Sequence, residues 1–157
     1  MHLRDDRDGL ESLPLKLMIV ALVATMSVVP ASQALDGFRN RDFIARAQLE
    51  LESIISAAQT VMIEGPGSVR TIHLDFRGDG TMAFDSLSIG DERGGSNMSS
   101  IVMRMIGGGI LARTATEPPV WITSSSIGSL TIDSPTCDLR LSAKLDGRTA
   151  LVLAELV

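Results

Sequence analysis

From Leu17 to Leu35 the chain runs for 19 residues without a formal charge. A helix of that length spans about 28 Å, close to the hydrocarbon thickness of a bilayer. No other stretch of the 157 residues is like it. One membrane segment near the N-terminus is therefore expected, preceded by sixteen largely polar residues and centred on the apolar run Leu17 to Val29.

The next stretch changes pattern without changing period. From Phe43 the apolar residues Ile44, Ala47, Leu51, Ile54, Ile55, Ala58, Val61 and Met62 recur at helical spacing on one stripe. Arg46, Glu50, Glu52 and Gln59 fall off it. Gly65-Pro66-Gly67 terminates the helix. Asp36-Gly37 allows either a break or a continuous helix. The expectation is one long helix from about Pro14 to Glu64, kinked where Pro30 lacks an N–H and crowds an earlier carbonyl.

After Gly67 the period becomes two. Ile72, Leu74 and Phe76 alternate with Thr71, His73 and Asp75. Further short strand patterns follow across residues 81–90, 101–106, 110–116, 120–123 and 129–133. The clearest pair is 138–145 and 148–157, joined at Asp146-Gly147, a signal for a type I′ hairpin. Seven or eight short strands predict a small antiparallel sandwich or curled sheet. The fold class is thus α+β: a long N-terminal hydrophobic and amphipathic helix, then a β-sandwich-like head over residues 68–157.

Composition removes several functions. The net charge of −5 argues against nucleic acid as a partner. Cys137 is the single cysteine, so no intrachain disulfide forms. With only His2 and His73, a zinc site or a histidine-based catalytic site is not expected. Aromatics are 3%, so the core must be aliphatic.

Local motifs add little chemistry. Gly107-Gly108-Gly109 lacks the lysine and hydroxyl residue of a phosphate loop and reads as a bend between strands. Arg77-Gly78-Asp79 reads as a tight turn. Asp75, Asp79 and Asp85 lack EF-hand spacing, since Ser86 stands where the bidentate glutamate belongs. Asp91-Glu92 reads as a solvated loop. Trp121 and Cys137 read as packing residues, and His73 as a surface residue on the polar side of its strand. No serine has a histidine and carboxylate arranged with it, and there is no Gly-x-Ser-x-Gly elbow. The chain is read as no enzyme, and no cofactor is expected. Asn97-Met98-Ser99 is an N-glycosylation sequon in a polar Gly-Gly-Ser loop.

A short polar leader, one hydrophobic helix extended by an amphipathic half, and a compact β-head together resemble a type IV pilin-like protein, of the archaeal pilin, archaellin or pseudopilin type. In that family a prepilin peptidase cuts after a glycine just before the hydrophobic helix. The matching residues are Gly9 and Leu10, which would make residues 1–9 a leader and residues 10–64 the mature helix. Its membrane and assembly half would be about 14–35, and its amphipathic half about 36–64. The resemblance implies a filament or pilus-type machine subunit, with identical or related subunits, the membrane and a prepilin peptidase as partners. It implies residence in the cell membrane before assembly and at the cell surface afterwards. Within the segment, Ala21, Ala24 and Ser27 would let neighbouring helices approach closely, with Pro30 at the kink.

Two other readings of the N-terminus stay open. Leu17 to Val29 has the length of a signal-peptide core, with Ser32-Gln33-Ala34 as a cut site. The same segment serves equally as an uncleaved anchor. Either makes the protein an exported or membrane-anchored β-domain that binds something through its head. Orientation is not set by charge, because Arg4, Arg7 and Lys16 precede the segment and Arg39, Arg41 and Arg46 follow it.

Overall fold

The computed structural model describes residues 7–157 apart from 79, 126 and 127, with side chains described from Pro14 onward. Residues 1–6 of the expected leader lie outside the described residues, as does Asp79 of the Arg77-Gly78-Asp79 turn. The fold is α+β: α1 (Arg7–Glu64) is followed by eight strands. The chain divides into two compact units, Met1–Phe38 and Arg39–Val157.

The helix is continuous through Pro14, Pro30 and Asp36-Gly37. Within the described residues it runs from Arg7 through Leu10 and Pro14. A change from charged to apolar side chains marks the leader border in sequence, but such a change is no bar to helical backbone. At the other end, the Gly65 N–H donates to the Val61 carbonyl at 3.2 Å, and Gly65 adopts φ 94°. A left-handed glycine after the last turn is the usual helix stop.

Strands β1 (Val69–Asp75), β7 (Thr136–Asp146), β8 (Thr149–Leu156) and β5 (Ile122–Ser124) form one sheet in the order β1-β7-β8-β5. Strands β4 (Ile110–Thr114), β3 (Ser100–Ile106), β2 (Ala83–Ile89) and β6 (Leu130–Ile132) form the other, in the order β4-β3-β2-β6. All pairings are antiparallel except β5 with β8, which run parallel. The chain visits β5 on its way from β4 to β6, so β5 has no hairpin partner, and local pattern does not set its direction. In the β7–β8 hairpin Asp146 pairs with Thr149, so the two turn residues are Gly147-Arg148, one place later than the Asp-Gly signal implied. Gly147 has φ 63°, as the first turn residue of a primed hairpin requires.

One core joins the amphipathic half of α1 to both sheets. Phe43, Ala47, Leu51, Ile54, Ala57, Ala58 and Val61 are buried with Leu74, Leu87, Ile101, Met103, Leu139, Leu141 and Val152. The expected stripe is therefore the packed face, and Phe43 and Ala57 belong to it as well. Ile44, Ile55 and Met62 sit half-buried at its margin. On the far side of the first sheet, Trp121, Leu151 and Leu153 make a second small cluster covered by Met98. Residues Leu151 to Ala154 are consequently buried on both faces.

Just past β2, Gly90 lies against Ile122 of β5 in the other sheet. Its φ is 67°, and a Cβ there would lie 2.0 Å from the Ile122 carbonyl oxygen. Both the backbone conformation and the neighbour are unable to yield cheaply. Gly90→Ala should therefore cost about 2–4 kcal/mol of stability, near the upper end for single substitutions. A urea midpoint within error of the parent would show that the strand ends can separate freely.

Candidate membrane and assembly segment

Among the described residues, Pro14–Glu64 of α1 is the one helix long and apolar enough, by length and composition, to cross a membrane. Its most apolar window has no buried residue. Leu15, Leu17, Met18, Ile19, Val20, Leu22, Val23, Met26, Val28, Val29 and Leu35 are each 50% or more exposed. Leu17 to Val20 alone cover every direction around one helical turn. A helix that is apolar all round belongs in lipid or among other apolar helices.

Its few polar groups are turned inward. The Thr25 hydroxyl donates to the carbonyls of Ala21 and Leu22 at 2.9 and 2.8 Å. Ser27 donates to the Val23 carbonyl at 2.8 Å, and Ser32 to that of Val29 at 2.9 Å. No hydroxyl of these three then needs a partner from water, which suits a hydrocarbon setting. Ala21, Ala24, Ser27 and Pro30 follow one another at three-residue steps, so they trace a ribbon that drifts about 60° per step around the helix. Gly9 and Leu10 lie within the helical span.

The helix re-enters protein surroundings within the second unit, and the contacts there are specific. The Asn40 side chain donates to Thr81 Oγ1 at 2.8 Å and accepts from the Met82 N–H at 3.1 Å. A Cβ on Gly78 would come within 2.8 Å of the Phe43 ring. Gln59 donates to the Glu117 carbonyl at 3.1 Å. Glu52 lies 3.7 Å from Arg113 of β4, and Asp42 pairs with Arg46 at 3.0 Å. Gln59 and Glu50, which periodicity places on the polar side, thus stand at the rim of the core. Sequence spacing separates stripe from non-stripe, but it does not reveal which flanking polar residues meet the head.

Two carboxylates at this rim titrate in opposite senses. Arg77 hydrogen-bonds to Asp75 and holds its carboxyl well below the usual carboxylate range. Burial, and then the Asp75 carboxylate, pushes Glu50 up from 4.5, with His73 partly offsetting them. A carboxyl raised by folding contributes stability that is fully present below its unfolded pKa and lost as pH rises through the folded value. Glu50→Gln should therefore be more stable than the parent at pH 7, with the gain shrinking as pH falls through the raised folded value and gone below about 4.5. Urea midpoints at pH 7 and pH 4 check it, and an equal gain at both would exclude the carboxylate as the cause.

The sequon lies in the connection between β2 and β3. Asn97 is exposed, and its carboxamide makes no hydrogen bond to a described residue. Its backbone neighbours are pinned: the Met98 carbonyl accepts from Ile122 N–H at 2.8 Å and that of Ser99 from Ala115 N–H at 2.7 Å. Of the other sequence candidates, His73 is exposed and bonded to Asp138 at 2.7 Å. Cys137 is half-buried against the core. Gly107 and Gly108, at φ 99° and 89°, turn β3 into β4. Trp121 donates to the Asp91 carbonyl at 3.0 Å.

Comparison with protein families, curated proteins and solved structures finds no match to this chain.

Proposed function

We propose that the chain is a pilin-like structural subunit, which polymerises through its N-terminal helix into an extracellular filament or pilus-type machine. One observation carries this reading. A single unbroken helix is apolar and exposed around its whole circumference in one half, and forms part of the β-head's core in the other. Lipid satisfies the exposed half before assembly, and the same halves of neighbouring subunits satisfy it afterwards. The β-head then forms the outer surface, with Asn97 as its glycan acceptor. Processing by a prepilin peptidase falls between Gly9 and Leu10.

A plain anchor needs the same exposed segment, so an anchored or released binding domain is the competing reading. The start of the mature chain separates the two. Mass spectrometry of protein from native membranes or sheared filaments should find Leu10 first. A chain starting at Leu35 would overturn the pilin reading, and one starting at Met1 would favour the uncleaved anchor.

A further inference from the structure

The outer face of the β1-β7-β8-β5 sheet carries a trough that the assembly helix does not use. On β7, Leu139, Leu141 and Ala143 enter the core, so Arg140, Ser142 and Lys144 stand on the opposite face. Across the ladder, Ser142 faces Val69 of β1 and Leu153 of β8, and Arg140 faces Glu155. Arg140, Ser142, Lys144, Glu155 and Val69 line a hollow of about 460 Å³. A second hollow of about 260 Å³ shares Lys144 and Glu155 with it, and adds Asp146, Leu151 and Leu153. Together they cross about three strand spacings, or about 14 Å.

Two features set this trough apart from ordinary surface. Ser142 is only 9% exposed, yet its hydroxyl bonds to no described residue. No enclosed side-chain polar atom among the described residues lacks a partner, so that hydroxyl opens into the trough. Moreover, Arg140, Lys144, Asp146 and Glu155 are all outside the ion pairs formed among the described residues. Arg140 lines the larger hollow and Asp146 the smaller, while Lys144 and Glu155 line both.

We propose that this trough binds a short stretch of a neutral glycan chain. Two cations and two carboxylates cancel, and a chain of net charge −5 has no long-range attraction for a polyanion. Arg140 and Lys144 only donate, ionised Asp146 and Glu155 only accept, and Ser142 does both. Sugar hydroxyls, each both donor and acceptor, match that mixture. The exposed Val69 and Leu145 side chains, which line the hollows, match the C–H faces of the rings, in the pattern of apolar surface with a few placed polar groups. A peptide strand fits less well. It would seek unpaired backbone at a sheet edge, whereas the charged groups of the trough stand on β7 and β8, which are hydrogen-bonded to neighbours on both sides.

This site does not depend on how the helix assembles. The test uses the full chain in zwitterionic detergent micelles whose headgroup carries no sugar. Cellohexaose, chitohexaose and maltohexaose are titrated in separately and followed by calorimetry, with polygalacturonate as a charged comparison. At least one neutral hexamer should bind saturably. Arg140→Met and Glu155→Leu should each weaken it about tenfold or more, the loss of one hydrogen bond to a charged group. Unchanged melting temperatures confirm that both variants are folded. The proposal is overturned by no saturable binding of any neutral hexamer, by binding indifferent to both variants, or by binding of polygalacturonate alone.

Discussion

A chain cut to begin at Ser68 should fail to form a stable monomer, whereas one cut to begin at Asp36 should fold cooperatively. The shorter chain keeps every strand but loses Phe43, Leu51, Ile54 and Val61, each at most 2% exposed in the full protein. Full burial of such side chains is worth about 1.5–3 kcal/mol each, or roughly 6–12 kcal/mol for the four. Some of that is recovered by collapse of the truncated chain, so the figure is an upper estimate. It still rivals the entire stability of a domain this size, about 5–15 kcal/mol. The exposed inner faces of two sheets would also promote association. The Asn40 and Gln59 hydrogen bonds go with the helix. Circular dichroism, gel filtration and urea denaturation check the pair. Equal midpoints would show that the sheets close on each other unaided, and that the helix half is an accessory.

The same residues explain what could be read before the structure was known. The stripe from Ile44 to Met62 is legible because a helix with one buried face repeats its apolar residues at a fixed period. Ile72, Leu74 and Phe76 are legible for the corresponding reason in strands, and all eight strand patterns became strands. Phe43, from which the stripe is counted, is in phase with it, one turn before Ala47, and is buried with it. Its place is fixed by Gly78, distant in sequence, whose missing side chain makes room for the ring. The parallel β5–β8 pair and the burial of β8 on both faces depend on which sheet each strand joins, and no local period encodes that. The trough around Ser142 has the same character. Arg140, Ser142 and Lys144 spell only the polar side of a strand, and their concavity comes from Val69 and Glu155 on neighbouring strands. The apolar segment is the opposite case: an uncharged run declares itself in sequence, and the structure adds that Thr25, Ser27 and Ser32 satisfy their hydroxyls within it.

Ala24→Leu should leave membrane insertion intact and strongly reduce the filament fraction. The substitution adds apolar surface to a segment already apolar on every side, so partition into lipid is preserved. A plain anchor needs only hydrophobicity and length, and it should not register the change. A helix packed among copies of itself needs shape as well, because close-packed interiors respond to single methylene groups. Small residues let helix backbones approach, and a leucine side chain at Ala24 holds them apart. Overpacking of this kind costs about 1–3 kcal/mol per site. In a filament each subunit meets several neighbours through the same segment, so the cost recurs at each contact and shifts the balance towards free subunit. Ala21→Leu, one turn earlier on the helix, serves as an independent replicate. Comparison of membrane-bound protein with the sheared extracellular fraction reads the outcome for both. Normal membrane levels with a depleted sheared fraction support helix-driven assembly. Unchanged fractions in both variants would sink it, and the anchored β-domain would become the better account of why this helix is apolar on all sides.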